Sequence, residues 1–286
     1  INFAADLHTY VTISTDRFGE SSKNNKYIIN YSSREEETEI SKIKNDIARE
    51  CFQHFNTPPN TSTLTADIFS SGSGLASSSS YLIAFIKALV TKNEINLSNK
   101  NICELALVLE RKFNPLTGYQ DPYGCGIGGF KKININKNNR VEVTPLPTSV
   151  FAELDMHLIY TGVTRSSTSQ LKTVNIEKAS KLLPLVSQME KAFVNGDTPS
   201  ILSIIQEGWA KKKESAPNTL STSHLKAVDK TLLNAPAIKA HRLCGAGGGG
   251  FFLVFSEAGW SPKKLNLEKE AVKINISKMG ASAQRV

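Results

Sequence analysis

Two glycine-rich segments constrain this chain most, because of what flanks them. The first reads Ser70-Ser71-Gly72-Ser73-Gly74-Leu75-Ala76-Ser77-Ser78-Ser79-Ser80. Before it, Leu64, Ala66 and Ile68 alternate with Thr65 and Asp67, the period of a half-buried strand. After it, residues 81–90 are apolar enough for a buried helix. A Ser/Gly run alone reads as a flexible linker. A strand on one side and a buried helix on the other argue against that. Glycine lets backbone approach a ligand closely. A helix N-terminus offers unpaired N–H groups and partial positive charge, which suit phosphate. Serine hydroxyls add donors to phosphate, or a ligand to magnesium. The segment therefore reads as a phosphate cradle. It is not a P-loop, because GxxxxGK[ST] has no match.

The second segment, Gly245-Ala246-Gly247-Gly248-Gly249-Gly250, formally contains GxGxxG. The dinucleotide-binding reading needs a helix next. Here the strand-like run Phe251-Phe252-Leu253-Val254-Phe255 follows, so that reading fails. A hairpin turn rarely needs four successive glycines, and close approach of backbone to a ligand explains them better.

The rest predicts strands at 9–14, 27–31, 156–160 and 283–286, and a hairpin of 130–135 with 140–143. Ile40, Ile43, Ile47, Cys51 and Phe55 predict a helix favoured by the acidic run Glu35 to Glu39 and stopped at Pro58-Pro59. Ser98 is expected to cap a helix bearing Ile102, Leu105, Leu109 and Phe113. Residues 16–25 and 118–129 read as loops, and 262–272 as a terminal helix. Ile201, Ile204, Ile205 and Trp209 mark a long helix. Strands and helices mix without βαβ alternation, so the expected class is α+β in two lobes, 1–150 and 151–286, divided near Pro145 and Pro147.

Composition narrows the function. Hydrophobic residues at 40% and charged residues at 21% exclude wholesale disorder. No run suits a membrane span, and the opening residues are not expected to be a signal peptide. The charge of +8 admits an anionic partner, though lysines dispersed among Asn and Ile leave its class open. Cys51, Cys103, Cys125 and Cys244 form no CxxC pair and suit a reducing cytoplasm. The five histidines show no cluster and read as structural.

Gly72-Ser73-Gly74-Leu75-Ala76-Ser77-Ser78-Ser79, with the glycine loop before a strand at 243–255, resembles the GHMP kinases. Their nucleotide motif has the form P-x-x-G-L-G/A-S-S-A/S, and Ser70-Ser71 replace its usual prolines. Leu109-Glu110-Arg111, Gly118-Tyr119-Gln120-Asp121-Pro122-Tyr123 and Tyr160-Thr161-Gly162-Val163-Thr164-Arg165-Ser166 are most similar to the D-glycero-D-manno-heptose 7-phosphate kinases, with Pro122 where Gln is common. The resemblance implies a ribosomal-protein-like N-terminal lobe and a ferredoxin-like C-terminal lobe. It also implies that a basic, glycine-rich sugar motif belongs before Ile1.

By that resemblance the chain is an ATP-dependent sugar kinase using Mg2+. It would move the γ-phosphate to the anomeric hydroxyl of a heptose 7-phosphate. Gly72, Ser73, Gly74, Leu75, Ala76, Ser77, Ser78 and Ser79 would hold the nucleotide, with Gly245, Ala246, Gly247 and Gly248. Ser78 and Glu110 would hold magnesium; Asp121 would be the base or orienter, and Arg165 a phosphate clamp. Residue type alone favours a solvated helix face for Glu110 and a turn role for Asp121, and leaves Arg165 evenly placed between clamp and surface. The expected partner is a sugar phosphate, with no nucleic acid or membrane, in a monomer or homodimer. The rivals are another substrate of the family, a non-catalytic nucleotide binder, and a nucleic-acid module, which would need an Arg–aromatic stripe that is absent.

Overall fold

The structure, a computed structural model, describes residues 1–15, 19, 21, 24–69, 72–164, 175–267 and 271–286. In chain order it runs β1 (Asn2–Phe3), β2 (Thr9–Ser14), β3 (Tyr27–Asn30), β4 (Arg34–Glu37), α1 (Asp46–Phe55), β5 (Thr61–Ala66) and α2 (Ser77–Lys92). Next come α3 (Asn99–Phe113), α4 (Gln120–Gly126), β6 (Phe130–Ile135), β7 (Val141–Pro145) and β8 (Leu154–Tyr160). The remainder is α5 (Ile176–Ser180), α6 (Leu183–Val194), α7 (Thr198–Ser215), α8 (Ser223–Leu233), β9 (Ile238–Leu243), β10 (Phe251–Glu257) and β11 (Ala271–Ile274).

Contacts divide the chain into two compact units. The first is Ile1–Asp6, Ser71–Leu75 and Phe130–Ile276; the second is Leu7–Ser70, Ala76–Gly129 and Ser277–Val286. They follow no single cut along the chain. The hairpin β6–β7 belongs to the first unit. β6 pairs with β1, and Phe130 packs on Phe151 and Phe193 with ring centroids 5.4 and 4.4 Å away.

The second unit is built on the sheet β2-β5-β3-β4. β2 alternates as predicted: Val11 and Ile13 are half-buried, Tyr10 and Thr12 exposed. The core joins sheet to helices through Tyr27, Phe52 and Phe85, with centroids 5.4 and 5.3 Å apart along the series. Glu35 to Glu39 do not start the α-helix; only a three-residue 3-10 turn, Ile40–Lys42, follows Glu39. Residues 34–37 form the edge strand β4, and the buried Glu35 carboxylate accepts the N–H groups of Lys44 and Asn45 at 2.6 and 3.0 Å. The chain is thereby turned, and α1 starts only after Asn45, which caps Ala48 at 3.0 Å. Ser98 caps α3 at Asn101 as expected. The stretch 118–129 is not all loop, because α4 occupies its middle. Pro122 is tolerated there since the first turn of a helix needs no N–H partner.

In the first unit the sheet runs β11-β8-β10-β9. β10, buried along six residues of which five are apolar, pairs on both sides. One face carries Ile159, Trp209, Leu232, Phe252, Val254 and Trp260. Among the described residues of 262–272 no α-helix forms. Pro262–Leu265 makes one short turn, Asn266 is left-handed at φ 54° and ends it, and β11 then pairs with the edge of β8. Residues 283–286 form no strand; Arg285 instead bonds the Lys92 carbonyl at 2.6 Å. The predicted loop at 16–25 lies largely outside the described residues.

Candidate active site

Backbone strain marks the first glycine segment. Gly72, Gly74 and Ala76 are left-handed, with φ of 68°, 77° and 59°. For Ala76 that conformation costs about 1 kcal/mol or more. Alternating left-handed residues build the N–H concavities that bind anions. Ser73 is buried and accepts the N–H of Leu75 at 3.3 Å. Ser77 and Ser78 then open α2, whose first turn holds no acidic residue and no side-chain cap. The first-turn N–H groups of a helix form its positive end, the kind of feature that suits an anion.

Within the second unit this helix start meets a carboxylate. Ser79 Oγ donates to Glu110 Oε2 at 2.5 Å. Glu110 is 3% exposed on the buried face of α3, not on a solvated one. Burial pushes its carboxyl above the ordinary value; the Ser79 and Ser78 hydroxyls oppose the rise, the neighbouring Asp121 charge adds to it, and the Thr117 hydroxyl eases it. Asp121 lies exposed in the first turn of α4. Ser78, Ser79, Glu110 and Asp121 thus form one cluster, and their types were legible in the sequence. That Ser79 bonds Glu110 at this short distance was not, since neighbouring serines look alike there. Among the described residues no three His, Cys, Asp or Glu side chains converge as a metal site. The oxygen-only set at Glu110 is of the kind a hard cation such as magnesium takes, and it fits that ion.

The second glycine segment packs closely against distant backbone. A β-carbon on Gly250, at φ 95°, would stand 2.2 Å from the Ser73 carbonyl oxygen. One on Gly249, at φ 147°, would stand 2.6 Å from the Val163 carbonyl oxygen. These close neighbours are this chain's own backbone. Gly248 N–H donates to Thr219 O at 2.9 Å, and Gly250 N–H to Val163 O at 2.8 Å. Lys212 Nζ grips the start of the loop, donating to Leu243 O at 3.1 Å and Gly245 O at 2.5 Å. Only Gly245 and Ala246 keep appreciable exposure. Val163 lies in the stretch 160–166 that the sequence singles out, but no sequence signal pointed to Thr219 or Lys212. Arg165 lies outside the described residues.

Residues 42–129 match the family model for the GHMP kinases N terminal domain. That stretch is similar to the GHMP kinases N terminal domain. Two curated relatives extend the likeness. D-glycero-alpha-D-manno-heptose 7-phosphate kinase of Campylobacter jejuni is 29% identical over 212 residues, covering 70% of this chain and 61% of that protein. A bifunctional fucokinase/GDP-fucose pyrophosphorylase of Arabidopsis thaliana is 30% identical over 216 residues, covering 70% of this chain and 20% of that one. The chain therefore spans about three fifths and one fifth of these relatives' lengths. Among solved structures, a D-glycero-D-manno-heptose 1-phosphate kinase from Bacteroides thetaiotaomicron superposes with a TM-score of 0.70 at 21% identity, over 99% of this chain and 88% of that one. The fold is the α+β GHMP kinase fold. No helix among the described residues is long and apolar enough to cross a membrane.

Proposed function

We propose that the chain is an ATP-dependent kinase. It would transfer the γ-phosphate to a sugar hydroxyl, namely the anomeric hydroxyl of a heptose 7-phosphate. The observation that carries this is the buried Glu110 carboxylate bonded to Ser79 at the start of α2, with Ser78 and Asp121 beside it. Phosphoryl transfer requires positioning and charge stabilisation more than covalent help from the protein. Residues 72–79 supply amides and hydroxyls to the ATP phosphates, and Gly245 and Ala246 are the part of the second loop open to nucleotide. Gly247 and Gly248, buried against Thr219, act by holding that loop. Glu110 and Ser78 hold magnesium, with Ser79 fixing the carboxylate. The ion, when bound, offsets charge on the phosphates. Asp121 accepts or orients the proton of the attacking hydroxyl. Arg165 contributes a cation to a transferred or resident phosphate.

The named activity of the Campylobacter jejuni relative supports the heptose phosphate. The named fucokinase activity of the Arabidopsis thaliana relative favours a second reading, a 6-deoxyhexose as acceptor. The scattered cysteines without a CxxC pair support a reducing cytoplasm as the site of action. An ADP-release screen with Mg-ATP decides between acceptors, run over heptose 7-phosphate, heptose 1-phosphate, fucose and galactose. The proposal expects release dependent on heptose 7-phosphate. Release with fucose alone moves the acceptor to the second reading. ADP release that no sugar stimulates refutes the kinase reading.

A further inference from the structure

Residues 277–286 lie across the end of α4, within the second unit. Gly129 N–H donates to Ser277 O at 2.7 Å, and Ala281 N–H donates to Gly126 O at 3.1 Å. Asn99 Nδ2 holds the Ala281 carbonyl at 3.1 Å. Further on, Arg285 bonds the Lys92 carbonyl and pairs with Glu94 at 2.9 Å. The two backbones meet without room for a side chain. A β-carbon on Gly128 would stand 2.4 Å from the Lys278 carbonyl oxygen, and one on Gly280 2.5 Å from the Gly126 carbonyl oxygen. Neither glycine is left-handed, so space alone demands them.

Beneath this contact α4 is itself tightly seated. A β-carbon on Gly126 would stand 2.4 Å from Cys103 Sγ on α3 and 3.2 Å from Ile83 Cδ1 on α2. Tyr123 is fully buried. The helix is thus held from below by α2 and α3 and from above by residues 277–286. Asp121 stands in its first turn and Gly126 is its last residue. Over so short a rigid helix, a displacement at one end is carried to the other.

We propose that residues 277–286 are a strap that sets the position of α4, and through it the Asp121 carboxylate against the acceptor hydroxyl. Gly128, Gly280 and Asn99 are then positioning residues for phosphoryl transfer. This rests on the role given to Asp121 above. The physical reason is that a misplacement near 1 Å from a remote site costs roughly 100-fold in rate, while the tight backbone contact at Gly280 cannot absorb a methyl group without moving.

The test is a double-mutant cycle on the full chain: Gly280→Ala, Asp121→Asn and both together. Gly280→Ala is expected to lower kcat by roughly 10- to 100-fold, with KM for ATP held within about twofold. In the Asp121→Asn background the same change is expected to have almost no further effect, because the two act on one step. Multiplying effects in the double variant overturn the proposal, as does an unchanged kcat in Gly280→Ala. Should Gly280→Ala fail to fold, Asn99→Ala, which removes one bond to the strap, enters the same cycle with a smaller expected loss of about threefold. Hydrogen exchange of the amides at 123–129 provides a measurement independent of turnover. It is expected to quicken at least about tenfold in either variant, and unchanged protection overturns the strap. A wild-type chain without sugar-dependent ADP release fails the functional reading alone, and the exchange measurement still decides whether the strap holds α4.

Discussion

Replacing Asp229 with Asn removes one charge from the first unit and leaves its volume intact. The side chain is 10% exposed. One carboxylate oxygen accepts from Trp209 Nε1 at 2.7 Å and from His241 Nε2 at 2.8 Å; the other accepts from Lys213 Nζ at 2.9 Å. Burial pushes this carboxyl up, but the donors on His241, Lys213 and Trp209 outweigh it and hold it down to about 2, from an ordinary 3.8. A depression of that size corresponds to about 2–3 kcal/mol of stability. Lys213 is 34% exposed, so its share is screened by solvent, and about 2 kcal/mol is the working figure. An amide at 229 also turns its NH2 toward either Lys213 or the Trp209–His241 pair, setting donor against donor. The expected loss is therefore about 2 kcal/mol at pH 7, or a Tm lower by about 4–8 °C. Because the folded carboxyl titrates below the unfolded one, its stabilisation is complete above about pH 4 and is lost as pH falls toward 2. The gap between wild type and variant should narrow over that range. Urea unfolding followed by Trp fluorescence reads both. A gap below about 0.5 kcal/mol at pH 7, or one that does not narrow on acidification, refutes the reasoning.

Glu110→Gln keeps the bond to Ser79 but loses the charge; sugar-dependent ADP release should fall at least about 100-fold, with unchanged circular dichroism and a raised requirement for magnesium. Asp121→Asn should cut kcat by about 100-fold or more while leaving KM for ATP near its wild-type value, and undiminished turnover in a folded variant excludes the role given to Asp121. Gly250→Ala forces a β-carbon onto the Ser73 carbonyl at a left-handed position, so a loss of about 2–4 kcal/mol is expected, read by thermal unfolding. Burial holds His157 below the ordinary histidine value, opposed by Asp155 and helped by Lys273. The unfolded chain takes that proton first, so stability should decline as pH falls below about 6.5, and His157→Leu should remove that part of the decline in urea titrations at pH 7 and 5.

Where a pattern carried its own physics, the sequence was a sound guide. Thr9 to Ser14 alternates in the chain and in the sheet, and Ser98 caps α3 by the short-range bond its side chain suits. The run Phe251 to Phe255 is a buried strand because apolar residues on both faces need partners on both sides. Failures came where a distant neighbour outweighed local preference. The acidic residues at 35–39 resemble a helix start, yet Glu35 is buried as a cap for Lys44 and Asn45. Residues 262–272 have a helical composition, but the edge of β8 offered hydrogen bonds to a strand.

By itself, then, the amino-acid order determined the two glycine segments, the helix that follows one and the strand that follows the other. It also named the residue types at 77–79, 110 and 121, because strand alternation, helix starts and glycine conformations are local properties of consecutive residues. Only the tertiary structure decided that Glu110 is buried beside Ser79, and that Gly250 rests on Ser73. The same holds for residues 277–286, which close over α4. Each of these joins residues far apart in the chain, and burial and close packing between distant segments leave no periodic trace along it.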